Sequence, residues 1–169
     1  MEIHNYIIKC EENISKYFPE HNICFLDIET TGLSRKYNQI YLIGLLYFNF
    51  KNNSWYLTQL FANHVDEEKT LLDKFNTLIS QFDLIVTYNG NSFDLPFIHH
   101  RSANYKINSN ILNIDTLDIY REIKNNSPYL DLENFKLKTI EKSLGIYRED
   151  EYSGKDCVGF YNQYVKSKD

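Results

Sequence analysis

Seven consecutive residues, Ile23-Cys24-Phe25-Leu26-Asp27-Ile28-Glu29, constrain this chain more than any others. They are apolar apart from two carboxylates at the far end, and Thr30-Thr31-Gly32 breaks the run. A continuous apolar run of this length, closed by a turn, is the pattern of a central strand. Successive side chains on a strand point to opposite faces, so Asp27 and Glu29, two apart, project together. Two like charges there raise each other's pKa and are costly. A hard divalent cation with oxygen ligands relieves that cost. Taken alone, the pair has a plainer alternative, two acids facing water at a strand end.

The rest of the chain supplies partners for that strand. Residues 3–18 carry Ile3, Tyr6, Ile7, Cys10, Ile14, Tyr17 and Phe18 at helical spacing, with Pro19 and His21-Asn22 as the stop. Residues 40–50 and 55–61 read as two strands joined by Lys51-Asn52-Asn53-Ser54, an antiparallel hairpin. Residues 66–82 place Leu71, Leu72, Phe75, Leu78, Ile79 and Phe82 on one helical face, with Asp66, Glu67 and Glu68 in the first turn, where carboxylates suit the helix dipole. Residues 84–88 form a strand closed by Asn89-Gly90, and 95–104 a helix. A fifth strand is expected over 111–115, short helices over 117–124 and 137–144, and a last helix over 155–166. This order predicts one α/β domain spanning 1–169. It has a helical segment at 1–22 and a core at 23–166, in which a mixed five-stranded sheet is flanked by helices. In open sheets of this kind, sites gather at strand ends.

Composition narrows the classes. At 169 residues, 43% hydrophobic and 24% charged, the chain suits one domain with a real core. A net charge of −5 argues against coating nucleic acid by bulk charge, but not against an acidic site that holds metal ions. No apolar run reaches a membrane span, and the N-terminus lacks the pattern of a signal peptide. Cys10, Cys24 and Cys157 are odd in number and form no CxxC pair, so a cytoplasmic, reduced protein is the expectation.

Three motifs then fall in order. Phe25-Leu26-Asp27-Ile28-Glu29-Thr30-Thr31-Gly32-Leu33 resembles the first motif of the DEDD 3′–5′ exonuclease family, within the ribonuclease H-like superfamily. Tyr88-Asn89-Gly90-Asn91-Ser92-Phe93-Asp94 resembles the second, and Tyr152-Ser153-Gly154-Lys155-Asp156 the tyrosine form of the third. Leu137 to Ile146, with its Glu141-Lys142-Ser143-Leu144-Gly145-Ile146, is similar to the YprB-like subgroup.

The resemblance implies that Asp27, Glu29, Asp94 and Asp156 hold two divalent cations, Mg²⁺ or Mn²⁺, for phosphodiester hydrolysis at DNA or RNA 3′ ends. It implies that Tyr152 orients the attacking water. Thr30, Gly32, Leu33, Asn89, Phe93, Arg101 and Lys155 would then shape the substrate groove. Arg35-Lys36 and His99-His100 are further candidates for phosphate contact, and Tyr37 and Tyr88 for base stacking.

Read without the resemblance, Asp94 is a helix N-cap before Leu95-Pro96, and Asp156 is a capping-box partner of Ser153. Asp115 reads as a structural strand-end acid or cap, and Asp118 and Glu141 as solvated helix faces. Two other functions stay open: a catalytically silent module binding nucleic acid or a partner, and a structure-specific endonuclease.

Overall fold

The computed structural model describes residues 1–9, 14–18, 22–149 and 152–167. In chain order the elements are β1 (Glu2–Ile8), β2 (Ile23–Thr30), β3 (Ile40–Asn49), β4 (Ser54–Phe61), α1 (Glu68–Ile79), β5 (Leu84–Thr87), α2 (Asp94–Asn104), β6 (Asp115–Asp118), α3 (Ile119–Asn125), α4 (Leu137–Ser143) and α5 (Gly154–Ser167). The strands form one mixed sheet of six in the order β1-β4-β3-β2-β5-β6. The first half is antiparallel, and β2-β5-β6 run parallel.

The sixth strand corrects the expected helix over 3–18. Glu2–Ile8 lies along the outer edge of β4, from Glu2 opposite Phe61 to Ile8 opposite Trp55. Ile3, Tyr6, Ile7 and Ile8 all remain exposed, so their helical spacing never reported a buried face. The open backbone edge of β4 decides the conformation instead, a tertiary override of local pattern. Cys10 and the stop at Pro19 and His21 lie outside the described residues. The strand expected over 111–115 starts later. Ile111–Asn113 is a single 3₁₀ turn that buries Ile111, and β6 follows beside β5.

The alternation along β2 separates two environments. Cys24, Leu26 and Ile28 face the main core, with Ile43, Leu45 and Leu60 of the sheet and Leu71, Phe75, Leu95, Ile98 and Tyr161 of α1, α2 and α5. Phe25, Asp27 and Glu29 take the opposite face. There a smaller cluster, Ile14, Ile23, Phe48, Trp55 and Val86, covers one end. The other end is open.

A buried ion pair fastens α2 to α1. Glu68 is fully buried; its carboxylate accepts from Arg101 Nε at 2.9 Å, Arg101 Nη2 at 2.5 Å, Tyr105 Oη at 2.9 Å and the Ile40 backbone N–H at 2.8 Å. Every lone pair is used, the condition under which a buried charge is tolerated. No helix among the described residues is long and apolar enough to cross a membrane.

Candidate active site

β2 outruns its parallel neighbour. β5 pairs only with Ile23–Phe25, which leaves the β5-side edge of β2 bare from Leu26 onward. A bare N–H inside a fold needs an acceptor. The acceptor is Asp94, the first residue of α2, whose Oδ1 takes the Ile28 N–H at 3.2 Å. The N-cap of α2 is Phe93, with no side-chain bond to the helix, so Asp94 serves the strand and does not cap its own helix. Asp27 and Glu29 flank Ile28 on the open face. Thus an acid from a distant segment is brought to the strand that carries Asp27 and Glu29, where the sheet changes from antiparallel to parallel, the crevice that open α/β sheets use for ligands.

The loop before Asp94 has a fixed shape. Asn89 sits at φ 66°, a left-handed conformation that Asn tolerates. Gly90 lies against Thr87 so closely that a Cβ would come within 2.5 Å of the Thr87 Cβ. Asp118, the last residue of β6, holds the loop from beneath. Its Oδ1 accepts from Asn89 N–H at 2.8 Å and Tyr120 N–H at 3.1 Å, and its Oδ2 from Asn91 N–H at 3.1 Å. Asp118 is therefore buried and caps α3, which corrects its reading as a solvated helix face. Its place at a strand end just before a helix was the signal available in the sequence.

The electrostatics mark the same three residues. Asp27 stands exposed on the open face of β2; the packing around it removes enough hydration to raise its pKa, and the Ile28 N–H partly offsets this. Glu29 is raised by desolvation and then by the charge of Asp27. Asp94 is pushed up to about 7, first by burial and then by Asp27. Among the described residues no Lys or Arg pairs with any of the three. The cleft beside Asp27 and Glu29, about 270 Å³, is lined by these two with Phe25, Leu42, Leu57 and Gln59. Gly44, opposite Asp27 on β3, carries no side chain to fill it.

Other expected residues lie elsewhere or do other work. Asp156 is exposed, and its Oδ2 accepts from Ser153 N–H at 2.8 Å and Ser153 Oγ at 2.5 Å. These bonds hold its pKa below the usual carboxylate range. It forms a capping box at the start of α5, the alternative reading of that motif. Tyr152 packs edge-on against Phe160 at 5.0 Å and is 59% exposed. Arg101 is buried in its pair with Glu68 and offers nothing to a phosphate, a correction that follows from an acid 33 residues away. Thr30 spends its hydroxyl on the Gly32 carbonyl at 2.8 Å. Asn89 shapes the loop through its backbone. Gly32, Leu33, Phe93 and Lys155 do line a second cleft, about 530 Å³, with Glu29 on its wall.

Among the described residues no three His, Cys, Asp or Glu side chains converge closely enough to enclose an ion. In donor chemistry, Asp27, Glu29 and Asp94 fit a hard divalent cation: oxygen only, net negative, each raised in pKa and unpaired. Asp156, turned onto Ser153, does not extend this set to four.

The family model of the RNase_H superfamily matches residues 24–169. No curated protein sequence matches the chain. Among solved structures, a family B DNA polymerase from the hyperthermophilic archaeon Pyrobaculum calidifontis is similar, with 15% identity and a TM-score of 0.66, over 85% of this chain and 21% of that one. A product-bound exonuclease I has 14% identity and a TM-score of 0.58, over 86% of this chain and 43% of that one. An ExoI/SSB-Ct complex has 14% identity and a TM-score of 0.56, over 86% and 41%. The chain thus spans less than half the length of each, and the likeness is one of fold.

Proposed function

The chain belongs to the RNase_H superfamily, and from that premise we propose that it is a divalent-cation-dependent 3′–5′ exonuclease of the DEDD type, acting on DNA or RNA. One observation carries the reading. Asp94 is drawn across the end of the sheet onto β2, and the charge of Asp27 raises the proton affinity of both Glu29 and Asp94, with no ion pair to a Lys or Arg among the described residues to relieve it. Mg²⁺ or Mn²⁺ held by these carboxylates would polarise a phosphoryl oxygen and lower the pKa of a bound water. It would also remove the repulsion between an acidic site and an acidic polymer.

The chain's own residues then bind and orient. Asp118 keeps the Asn89–Asn91 loop in place, and through it Asp94. Leu33 and Phe93 form the apolar walls against which a terminal nucleoside packs. Lys155 lies on the same cleft as Glu29 and supplies positive charge there. The likeness of segment 137–146 to the YprB-like subgroup supports a reading close to that subgroup. In such a form the site works without Tyr152, which agrees with that tyrosine's packing on Phe160. A cytoplasmic location is part of the proposal, in keeping with free Cys24 and Cys157.

One observation favours a second reading. The capping box that holds Asp156 leaves three acids where the family motif has four. A catalytically silent module on this scaffold would look the same. Incubation with 5′-labelled single-stranded DNA and RNA in Mn²⁺, Mg²⁺ or EDTA, beside Asp27→Ala, separates the two. The exonuclease gives a ladder shrinking from the 3′ end, lost in EDTA and in the variant. Binding without cleavage under any metal selects the silent module. Cleavage of a circular single strand would move the reading to an endonuclease.

A further inference from the structure

Beyond the acids, a third cleft of about 380 Å³ is lined by Leu33, Ser34, Arg35, Lys36, Ser92 and Phe97, together with Phe93. Leu33 and Phe93 belong to both this cleft and the one that Glu29 lines. They form a ridge with the Glu29 carboxylate on one side and two cations on the other. Arg35 and Lys36 are exposed, and among the described residues neither forms an ion pair. In a chain of net charge −5, two unpaired cations facing one cleft are a local exception.

The loop that carries them is built rather than slack. Its base is closed twice: Thr31 N–H donates to Gln39 O at 2.9 Å, and Gln39 N–H to Thr31 Oγ1 at 3.0 Å. Within it, Asn38 Oδ1 accepts from Ser34 N–H at 3.0 Å, and Asn38 N–H donates to Ser34 O at 2.8 Å. Gly32 lies so close to the Asn38 amide that a Cβ would stand 2.8 Å from its Oδ1. Lys36 Nζ sits 5.2 Å from the ring centre of Tyr37, which is 77% exposed. A backbone fixed this way has little entropy of its own to lose on binding, which leaves only the Arg35 and Lys36 side chains to be ordered.

We infer that Arg35 and Lys36 form a second phosphate subsite, which holds the backbone phosphodiester of a single nucleic-acid strand next to the one at Asp27, Glu29 and Asp94. The inference rests on the proposed hydrolase and names its substrate class. A strand running from Arg35 and Lys36 to the acids must cross the ridge of Leu33 and Phe93. Neighbouring bases have to part there, which an unpaired strand does at small cost. Ser92 offers a hydroxyl on the same cleft, and Tyr37 an exposed ring beside it.

The test compares wild type, Arg35→Ala/Lys36→Ala and the charge-keeping Arg35→Lys/Lys36→Arg. The substrates are the p-nitrophenyl ester of thymidine 5′-monophosphate, which has no second phosphate, and short single-stranded DNA and RNA. In the alanine variant the ratio of oligonucleotide to ester hydrolysis should fall about tenfold, through KM rather than kcat. It should recover in the charge-keeping variant. The log–log salt slope of oligonucleotide binding should flatten by about 1.4, roughly 0.7 for each phosphate that the variant no longer neutralises. The polymer with the larger fall is the one the subsite serves.

An unchanged ratio and slope, with both substrates cleaved, would overturn the subsite and leave the hydrolase standing. No cleavage of either substrate by wild type would overturn the hydrolase. The affinity of 5′-fluorescein oligonucleotides, read by anisotropy, then decides the subsite by itself: weaker binding to the alanine variant supports it, and equal binding overturns it.

Discussion

Asp94 and Asp156 stand in nearly the same local setting. Each lies in the first turn of a helix, each follows a serine-containing turn, and each reads from its motif as a metal ligand or as a cap. The fold sends them opposite ways. Asp94 is buried, reaches a strand 66 residues earlier in the chain, and is pushed up to about 7. Asp156 is exposed, reaches back three residues to Ser153, and is held below its ordinary value. Burial without a cation makes a carboxylate basic, and hydrogen bonds to its charged form make it acidic. The difference teaches that an acid's role here is set by what lies across from it in space. The helix position that the sequence displays does not set it.

The sharpest way to break the comparison is Asp94→Asn. Asparagine still accepts the Ile28 N–H, so the fold stays, while the ion-binding charge is lost. Nuclease activity should fall on the order of 10³-fold. Stability should move the other way. In the native protein Asp94 keeps its proton up to about pH 7, but in the unfolded chain only to about 3.9. The native state therefore binds more protons across that window, and stability present below it is lost as pH rises through 7. In EDTA at pH 8 the variant should melt about 2–8 °C above wild type, from roughly 1–2 kcal/mol of relieved charge. Melting curves from pH 4 to 8 check this: the wild-type fall should be weaker in the variant. The same substitution at Asp156 should give no such gain.

Asp118→Asn tests the support beneath Asp94. An amide has one acceptor oxygen where the carboxylate has two, so one of the Asn89 and Asn91 N–H groups loses its partner. Activity should drop roughly 10–100-fold through weaker metal affinity, and stability by about 1–3 kcal/mol. Metal titration beside chemical denaturation reads both. The smallest effect should come from Asp156→Ala. Activity should stay within about threefold while stability falls only slightly, since the Ser153 cap remains and only its capping-box partner is lost. If Asp156→Ala instead matches the loss at Asp94, the start of α5 must rearrange toward the acids when the ion binds, and the two aspartates are functional equals after all.

Much of the frame was legible because it depends on local periodicity. The period of two in Ile23–Thr30 put Asp27 and Glu29 on one face, and the apolar stripe over 66–82 marked the helix observed at Glu68–Ile79. The Asn89-Gly90 turn and the helix opening at Asp94 were likewise visible, since a left-handed Asn and a tightly packed Gly leave their mark on residue choice. Residues 3–18 read as helix because their apolar residues fall three and four apart, yet Glu2–Ile8 is a strand. Its apolar residues stay exposed, and only the edge of β4 makes the segment a strand. By its motif Arg101 reads as a substrate-groove cation, and Asp118 as a solvated acid. Each is buried by partners 27 to 33 residues away, which no local pattern reports.

By itself the sequence determined the alternation that sets two carboxylates on one face of a central strand, and the turns that aim the chain at them. Those are consequences of backbone geometry over a few residues. Tertiary structure alone decided that β2 overruns β5 and leaves the Ile28 N–H bare, and that Asp94 fills the gap while Asp156 stays with its own turn. The reason is physical: a side chain's charge state follows its hydration and its partners, and both are fixed only when distant segments pack.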